Sequence, residues 1–232
     1  MKVMVMKGCV IKKMGLYPDF VKKAFNLYSE KERIMQHAFT VVKYGNVVGD
    51  YLEFGVWKGN SFITAYKTAK SMGLNSMRFY GFDSFQGLPE TSGIDMGSVF
   101  KQGDFVCTEE QFKGNLRHAK VDMDKVVIVN GWFDKVLNSE LRNSLDVFKA
   151  SVILIDSDLY SSARFALDFI TPFVQDGTIV LFDDWFCFGG SPFCGERRAF
   201  SEWLKKNPNF IVSEFYKFHT LGNSFILHLK EG

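Results

Sequence analysis

The sequence predicts an α/β protein built on a Rossmann-like, mostly parallel sheet with helices on both faces. Five strand-like runs alternate with segments of helical periodicity along the chain. These runs are apolar throughout rather than alternating, which is typical of parallel strands covered on both faces. Two further strand-like runs near the end have only a short turn region between them, which predicts an antiparallel hairpin.

Capping signals and apolar spacing predict the individual elements. Ser29 and Glu32 form a capping box ahead of apolar residues at helical spacing, Gly45 ends that helix, and Thr108 with Gln111 forms a second box. Helices are expected over residues 30–44, about 60–71, 108–118, 134–143, 161–173 and 196–206. Strands are expected over residues 50–54, 78–82, 126–129, 152–155, 178–182, 210–216 and 224–229.

Composition and charge exclude several classes of protein. The 232 residues carry a formal net charge of +2 without a basic tract, so no nucleic-acid partner is expected. The four cysteines form no C-x-x-C pair, which disfavours structural zinc and suits a reducing compartment. The sequence has neither an apolar stretch of about 18 residues nor an apolar signal-peptide core, so we expect no membrane partner and a cytoplasmic location.

Acidic residues lie at the carboxyl ends of four of the five predicted parallel strands. They are Glu53, Asp83, Asp156 with Asp158, and Asp183 with Asp184. Ligands of open parallel sheets bind at the carboxyl ends of the strands. Chance rarely places acids at so many strand ends, so the sequence predicts a functional site at this edge of the sheet.

The first strand leads into a glycine loop that predicts a nucleoside cofactor. Gly55 and Gly59 allow a tight turn and close approach of a ligand before a helix N-terminus, without the G-x-G-x-x-G pattern of a dinucleotide fold. Glu53 suits a cationic ligand, and Asp83 can accept hydrogen bonds from ribose hydroxyls. A cationic ligand that carries ribose without phosphates points to S-adenosylmethionine.

The aspartates after the fourth and fifth strands predict a metal site. Asp156, Asp183 and Asp184 would meet at adjacent strand ends, where carboxylates repel one another unless a cation lies among them. Oxygen ligands select hard divalent ions such as Mg²⁺, Ca²⁺ or Mn²⁺. The alternative is that Asp158 and Asp184 are helix N-caps.

Four segments around these residues carry a family resemblance: Tyr51–Gly59, Gly81–Pro89, Leu154–Tyr160 and Leu181–Asp184. They resemble the macrocin O-methyltransferase (TylF-type) family of class I S-adenosylmethionine-dependent methyltransferases, and the F-D-S-F-x-G-L-P segment is the most specific. The resemblance implies a seven-stranded sheet closed by the C-terminal hairpin. We expect a methyltransferase domain over residues 46–232, preceded by a helical lid or extension over residues 1–45.

The resemblance also implies a role for each site residue. Cofactor binding is implied for Glu53, Gly55, Trp57, Gly59, Ser61, Asp83, Ser84, Gly131, Trp132, Asp156 and Ser157. Binding of Mg²⁺ is implied for Asp156, Asp183 and Asp184, with Asp158 as an extra candidate ligand, and Asp156 and Asp183 would act in catalysis through the metal.

The implied reaction is O-methylation of a hydroxyl, in a diol, on a sugar or a glycosylated secondary metabolite. The alternatives are a metal-independent methyltransferase and a non-catalytic S-adenosylmethionine-binding module. A homo-oligomer is compatible with the sequence. Family members carry a candidate general-base histidine in the loop after the F-D-S-F-x-G-L-P segment, and residues 90–107 here contain none. His118 is expected on a helix face and His219 in a turn away from the site, so no base is assigned.

Aromatic residues are abundant, with 25 Phe in the chain. Several of them lie in the loop after the fifth strand, where an acceptor should bind. We therefore predict that residues 185–195 form an aromatic wall for the acceptor, through Trp185, Phe186, Phe188 and Phe193.

Overall fold

A computed structural model describes residues 29–96 and 100–230. The described helices are α1 (Glu30–Tyr44), α2 (Asn60–Ser71), α3 (Glu109–His118), α4 (Phe133–Val136), α5 (Ser139–Ser144), α6 (Tyr160–Ile170) and α7 (Gly195–Lys206). The described strands are β1 (Asp50–Phe54), β2 (Phe79–Asp83), β3 (Val126–Asn130), β4 (Ala150–Ile155), β5 (Thr178–Phe182), β6 (Phe210–Glu214) and β7 (Asn223–Leu229).

The strands form one mixed sheet in the order β3-β2-β1-β4-β5-β7-β6. Strands β1 to β5 are parallel, while β7 pairs antiparallel with both β5 and β6. The predicted Rossmann-like fold and its C-terminal hairpin are therefore confirmed. The strand order reverses between β1 and β4, so the loops after these two strands border the crevice in which such sheets bind ligands.

Buried apolar side chains cover both faces of the sheet. On one face, Phe54, Phe82 and Phe182 pack with residues of α6 and α7. On the other face, Tyr51 and Leu181 pack with residues of α1, α2 and α3. Since neighbouring residues of one strand point to opposite faces, this double coverage explains why the strand segments are mostly apolar and do not alternate between apolar and polar residues.

Helix α1 belongs to this core. Its capping box is present as predicted: Ser29 and Glu32 bond to each other's backbone amides. Its buried face includes Ala38 and Phe39, and the Phe39 ring lies 6.1 Å from that of Tyr51. The predicted extension over residues 1–45 lies outside the described residues up to residue 28, and its boundary with the following domain stays a prediction.

Two helical segments differ from the sequence prediction. The helix expected over residues 134–143 is two short helices, because the Asn138 side chain accepts a hydrogen bond from the Leu141 amide and starts a new helix there. The helix expected to reach residue 173 leaves α-geometry after Ile170 and ends in a 3₁₀ turn that contains Pro172. None of the described helices is long and apolar enough to cross a lipid bilayer.

Candidate active site

A cleft of about 650 Å³ lies at the carboxyl ends of β1, β2, β4 and β5, a volume in the usual range for small-molecule sites. Most of the residues predicted for the site line this cleft: Gly55, Trp57, Ser61, Asp83, Ser84, Trp132, Asp156, Ser157, Asp158, Asp183 and Asp184. Three predicted residues, Glu53, Gly59 and Gly131, lie outside its lining. The topology thus brings the two predicted constellations together at one edge of the sheet.

The loop after β1 requires glycine at two positions. Gly55 has φ +90°, and a Cβ there would lie 1.8 Å from the Asp156 carbonyl oxygen. Gly59 has φ +83°, and a Cβ there would lie 2.8 Å from the Phe112 ring. Both residues therefore combine a left-handed conformation with close packing, which L side chains do not tolerate. Gly55 lets the β1 loop touch the β4 exit, and both of these segments line the cleft.

Asp83 at the end of β2 holds the same loop from its other side. Its Oδ2 accepts hydrogen bonds from the amides of Val56 (2.8 Å) and Trp57 (3.0 Å), and its Oδ1 accepts one from Phe85 (2.8 Å). A carboxylate oxygen accepts two hydrogen bonds, so Oδ1 keeps one lone pair for a ligand. Asp83 can thus both shape the glycine loop and receive a ribose hydroxyl.

Glu53 acts from beneath the cleft. It is fully buried, and its carboxyl accepts hydrogen bonds from Tyr51 Oη at 2.6 Å and Ser61 Oγ at 2.5 Å. Burial raises the pKa of Glu53 to about 7, against the opposing effect of these two hydrogen bonds. Ser61 is in the first turn of α2 and lines the cleft, so Glu53 fixes a residue that faces the ligand.

Replacing Glu53 by glutamine should change the pH dependence of stability. Between the ordinary pKa of 4.5 and about 7, the folded chain holds a proton that the unfolded chain releases, so this carboxyl makes stability fall as pH rises through that window. The glutamine cannot titrate, so the Glu53→Gln variant lacks this loss of stability. We therefore expect the difference in free energy of unfolding, variant minus unsubstituted chain, to rise by up to about 3 kcal/mol between pH 4.5 and pH 7. Urea unfolding at several pH values measures this, with exposed Glu140→Gln as control. Parallel curves for Glu53→Gln and the unsubstituted chain would contradict the assignment.

The aspartates after β4 and β5 form the predicted cluster. Asp156, Asp183 and Asp184 each place one carboxylate oxygen within 4.8 Å of the others. A lysine that the sequence analysis did not identify lies among them: Lys31 Nζ is 3.0 Å from Asp156 Oδ2 and 3.0 Å from Asp183 Oδ1. Burial acts to lower the pKa of Lys31, but the two carboxylates raise it above its ordinary value, so the ammonium stays charged.

Proton affinities in the cluster reflect its excess of carboxyl groups. Burial, and then the charge of Asp183, raises the pKa of Asp156 well above its usual range and also raises that of Asp184. Burial, and then Asp184, raises the pKa of Asp158 to about 9. The burial of Asp183 acts in the same direction, but its hydrogen bond with His219 and the charge of Lys31 together lower its pKa. Such a group of acids gains from any added cation, which would release protons on binding.

The donor set fits a hard divalent cation. Asp184 Oδ2 is buried without a bond to an amide, hydroxyl or ammonium group of the described residues, and the Asp184 carboxyl shares a hydrogen bond with that of Asp158, so a cation could take the place of the shared proton. Buried Glu196 supports it from α7, since its Oε2 accepts a hydrogen bond from the Asp184 amide at 2.9 Å. Three convergent carboxylates match the oxygen ligands of Mg²⁺ or Mn²⁺.

The expectation that His219 lies away from the site is wrong. The turn between β6 and β7 brings His219 Nε2 to 3.1 Å from Asp183 Oδ1, while Nδ1 accepts a hydrogen bond from the Leu221 amide at 3.0 Å. Because Nδ1 is an acceptor, Nε2 carries the hydrogen and donates a hydrogen bond to the Asp183 carboxylate. His219 therefore orients Asp183 in this arrangement and is not placed as a free base.

The predicted aromatic wall over residues 185–195 is also wrong. Trp185 turns back into the core, with its ring 5.1 Å from Phe182 and 4.7 Å from Phe225, and Phe193 is exposed. Within that loop, Cys187 lines the cleft. Phe186 and Phe188 are not among the residues that line it, and the aromatic lining comes from other segments, through Trp57, Phe100, Phe105, Trp132 and Phe133.

The loop after β2 is anchored by a residue that the sequence analysis did not single out. Buried Asp95 accepts hydrogen bonds from the amides of Tyr160 (2.9 Å) and Ser161 (3.1 Å) at the start of α6. Asp95 therefore caps the N-terminus of α6 from a loop that is distant in sequence. The Asp158 side chain forms no capping hydrogen bond with this helix, so the alternative that Asp158 is its N-cap is not supported. These two bonds tie Asp95, in the loop after β2, to the residues that follow the β4 exit.

Asp95→Ala is expected to lower the free energy of unfolding by about 1–2 kcal/mol, the usual cost of losing a helix cap. Chemical denaturation measures this loss. Asp134→Ala serves as the control, because Asp134 is exposed and its removal should change stability by less than about 0.5 kcal/mol. Equal stability of the two variants would show that Asp95 does not cap α6.

The sheet order, the hairpin and the acids at the strand exits define the class I, Rossmann-like methyltransferase architecture. The chain matches the Macrocin-O-methyltransferase (TylF) family over residues 24–205, and it belongs to that family. This match confirms the resemblance read from the four sequence segments.

Individual relatives agree with this membership. The chain is 30% identical over 158 residues to 8-demethyl-8-(2,3-dimethoxy-alpha-L-rhamnosyl)-tetracenomycin-C 4'-O-methyltransferase of Streptomyces olivaceus, over 65% of this chain and 58% of the relative. It is 28% identical over 146 residues to demethyldecarbamoylnovobiocin O-methyltransferase of Streptomyces niveus, over 60% of this chain and 54% of the relative. The chain thus spans less than two thirds of either relative. The solved structure of the O-methyltransferase NovP shares the fold, with a TM-score of 0.69 and 23% identity over 87% of this chain and 80% of that one.

Proposed function

We propose that the chain is an S-adenosylmethionine- and Mg²⁺-dependent O-methyltransferase that acts on a hydroxyl of a vicinal diol, on a sugar or a glycosylated secondary metabolite. The observation that carries this proposal is the meeting of two constellations in one cleft. The glycine loop with Asp83 lines one part of it, and Asp156, Asp183 and Asp184 line the other. A methyl donor and an acceptor bound to these two parts would lie side by side.

The cofactor part of the cleft suits a nucleoside that carries a positive charge. Asp83 Oδ1 would accept a hydrogen bond from a ribose hydroxyl. Trp132 would lie against the adenine, because an aromatic face stacks well on a base. Ser61 and Ser157 offer hydroxyls to the polar end of the ligand. The acidic lining favours the sulfonium of S-adenosylmethionine, which supplies an electrophilic methyl group.

The acceptor part of the cleft would hold the divalent cation through Asp156, Asp183 and Asp184. When bound, such a cation lowers the pKa of a nearby hydroxyl and offsets the charge that develops on its oxygen. The protein's own contribution is positional: Glu196 holds the Asp184 backbone, and His219 holds the Asp183 carboxylate. In the reaction, the acceptor oxygen forms a bond to the methyl carbon as the carbon–sulfur bond breaks and S-adenosylhomocysteine leaves, and the hydroxyl proton passes to water, since no residue is assigned as the base.

The acceptor class rests on the relatives and on the aromatic lining. Two relatives are named for methylation of a dimethoxyrhamnosyl-tetracenomycin C and of demethyldecarbamoylnovobiocin, and a third is a mycinamicin III 3''-O-methyltransferase of Micromonospora griseorubida. These names support a hydroxyl of a glycosylated metabolite as the acceptor. The first acceptor carries methoxy groups at positions 2 and 3, so the vicinal diol is proposed from the acidic cluster and not from the relatives. Trp57, Phe100 and Phe105 give the cleft mouth large apolar faces, which suit the pyranose ring and aglycone of a glycoside.

One observation favours a second candidate, a metal-independent methyltransferase. Lys31 already places a positive charge between Asp156 and Asp183, so its ammonium is an alternative source of electrostatic stabilisation at the acceptor oxygen. The two candidates differ in their response to a chelator.

The test combines binding and turnover. Calorimetry with S-adenosylhomocysteine examines the cofactor part, and methyl transfer to rhamnosides with a free vicinal diol examines the acceptor part. Matched rhamnosides with one of the two hydroxyls already methylated serve as controls. Loss of turnover in EDTA and its recovery with Mg²⁺ would support the first candidate, whereas unchanged turnover in EDTA would favour the second. Failure to bind S-adenosylhomocysteine would overturn both.

A further inference from the structure

Lys31 reaches the acidic cluster from the beginning of α1. The capping box of Ser29 and Glu32 fixes the first turn of this helix, and the Lys31 side chain extends from that turn to the exits of β4 and β5. Among the described residues that line the cleft, Lys31 is the one basic side chain, against the carboxyl groups of Asp83, Asp156, Asp158, Asp183 and Asp184.

We propose that Lys31 is a tethered cation that neutralises Asp156 and Asp183 in the metal-free protein and is displaced when a divalent cation binds. This inference rests on the metal site of the proposed function. The inference adds that Lys31 and the metal compete for the same carboxylates. Metal binding must break the two 3.0 Å ion pairs of Lys31 before Asp156 and Asp183 become ligands.

The geometry makes Lys31 a partial and replaceable partner for the cluster. Its ammonium contacts one oxygen each of Asp156 and Asp183 and forms no ion pair with Asp184 among the described residues. A divalent cation carries twice the charge, and the 4.8 Å cluster allows it to contact all three acids. A metal therefore satisfies the cluster more completely than the lysine does.

The Lys31 ammonium can also leave the acidic cluster for solvent. Its side chain is 37% exposed, and a lysine joins a compact charge to a flexible four-carbon stem. The ammonium can therefore move to solvent while the stem stays against the protein and α1 keeps its place on the sheet. Lys31 thus protects the folded chain against repulsion among its acids and sets the concentration at which metal enters.

The first experiment compares Mn²⁺ binding by calorimetry to the unsubstituted chain and to Lys31→Met. Removal of one positive charge from among the ligands should tighten Mn²⁺ binding about tenfold or more. In EDTA, Lys31→Met should melt at a lower temperature than the unsubstituted chain, and Mn²⁺ should raise its melting temperature by more. Lys67→Met is the matched control, because Lys67 is exposed on α2, and it should bind Mn²⁺ as the unsubstituted chain does.

Two further measurements keep the inference testable if Lys31→Met does not fold. Lys31→Gln retains a polar group and should also bind Mn²⁺ more tightly than the unsubstituted chain. In the unsubstituted chain, acetic anhydride labelling followed by mass spectrometry should show faster acetylation of Lys31 when Mn²⁺ is added, with that of Lys67 unchanged.

The outcomes separate this inference from the proposed function. Equal Mn²⁺ affinity in all variants, with unchanged labelling of Lys31, would overturn the competition and leave the metal site intact. No Mn²⁺ binding by any variant would overturn both the competition and the metal site. Methyl transfer in EDTA would then decide whether the chain is the metal-independent enzyme.

Discussion

Asp183→Asn is expected to reduce methyl transfer by about a hundredfold or more, the scale of losing one electrostatic stabiliser at a reacting oxygen. The substitution preserves side-chain volume but removes the charge that receives Lys31 Nζ at 3.0 Å and His219 Nε2 at 3.1 Å. It also removes one of the three oxygen ligands of the cluster. Steady-state kinetics with a diol acceptor measures the loss in kcat, and Mn²⁺ titration measures the loss of metal affinity.

The cofactor part of the cleft provides the internal check on Asp183→Asn. The ribose contact is assigned to Asp83, which bonds to the glycine loop and not to the cluster, so S-adenosylhomocysteine should bind with little change. Asp176→Asn is a matched control, because Asp176 is exposed and bonds to β7 beside the start of β5, at the other end of the strand. An Asp183→Asn variant with unchanged kcat would remove Asp183 from the mechanism.

Local sequence signals are sufficient to predict most of the helices and strands. Continuous apolar runs predicted buried parallel strands, and the capping boxes at Ser29 and Thr108 predicted where two helices begin. The segment over residues 134–143 was mispredicted because helical periodicity does not reveal that Asn138 interrupts the helix by capping a new one. The residues before and after Asn138 both have helical composition, and the hydrogen bond of the Asn138 side chain decides whether they form one helix or two.

Residues of the site were predictable where the strand pattern places them. Asp83 ends β2, Asp156 follows β4, and Asp183 and Asp184 follow β5, and parallel strands bring their carboxyl ends to one edge of the sheet. Lys31 and Asp95 were not predictable, because they meet their partners across 125 and 65 residues of sequence and carry no motif of their own. His219 was placed wrongly, because the antiparallel pairing of β7 with β5 returns its turn to the β5 exit.

The aromatic residues after β5 show why the lining of a cleft is hard to predict from sequence. Trp185 stands directly after two cleft-lining aspartates, yet its ring packs between Phe182 and Phe225. A large ring next to a strand exit gains more by burial in the core than by exposure to a solvent-filled cleft. The aromatic faces of the cleft come instead from residues such as Phe100 and Phe105, which follow β2 by about twenty residues.

Gly55→Ala is expected to destabilise the chain more than any other substitution considered, by about 4 kcal/mol or more, as befits an exceptional backbone clash. The new Cβ would lie 1.8 Å from the Asp156 carbonyl oxygen, and φ at this position is +90°. A backbone atom cannot turn aside as a side chain can, so the β1 loop and the β4 exit must separate. That separation moves the loop that Asp83 holds and the Asp156 carboxyl at once, and with them both halves of the cleft.

A second glycine separates the clash from the backbone strain. Gly73 has φ +77°, close to that of Gly55, but a Cβ there would have no atom within 4 Å. Gly73→Ala should therefore cost about 1–2 kcal/mol, the penalty of a left-handed alanine alone. Urea unfolding of the two variants gives the difference, which is the energy of forcing the β1 loop away from the β4 exit. Equal losses would mean that the cleft does not depend on this contact, and Gly55 would then matter for its conformation alone.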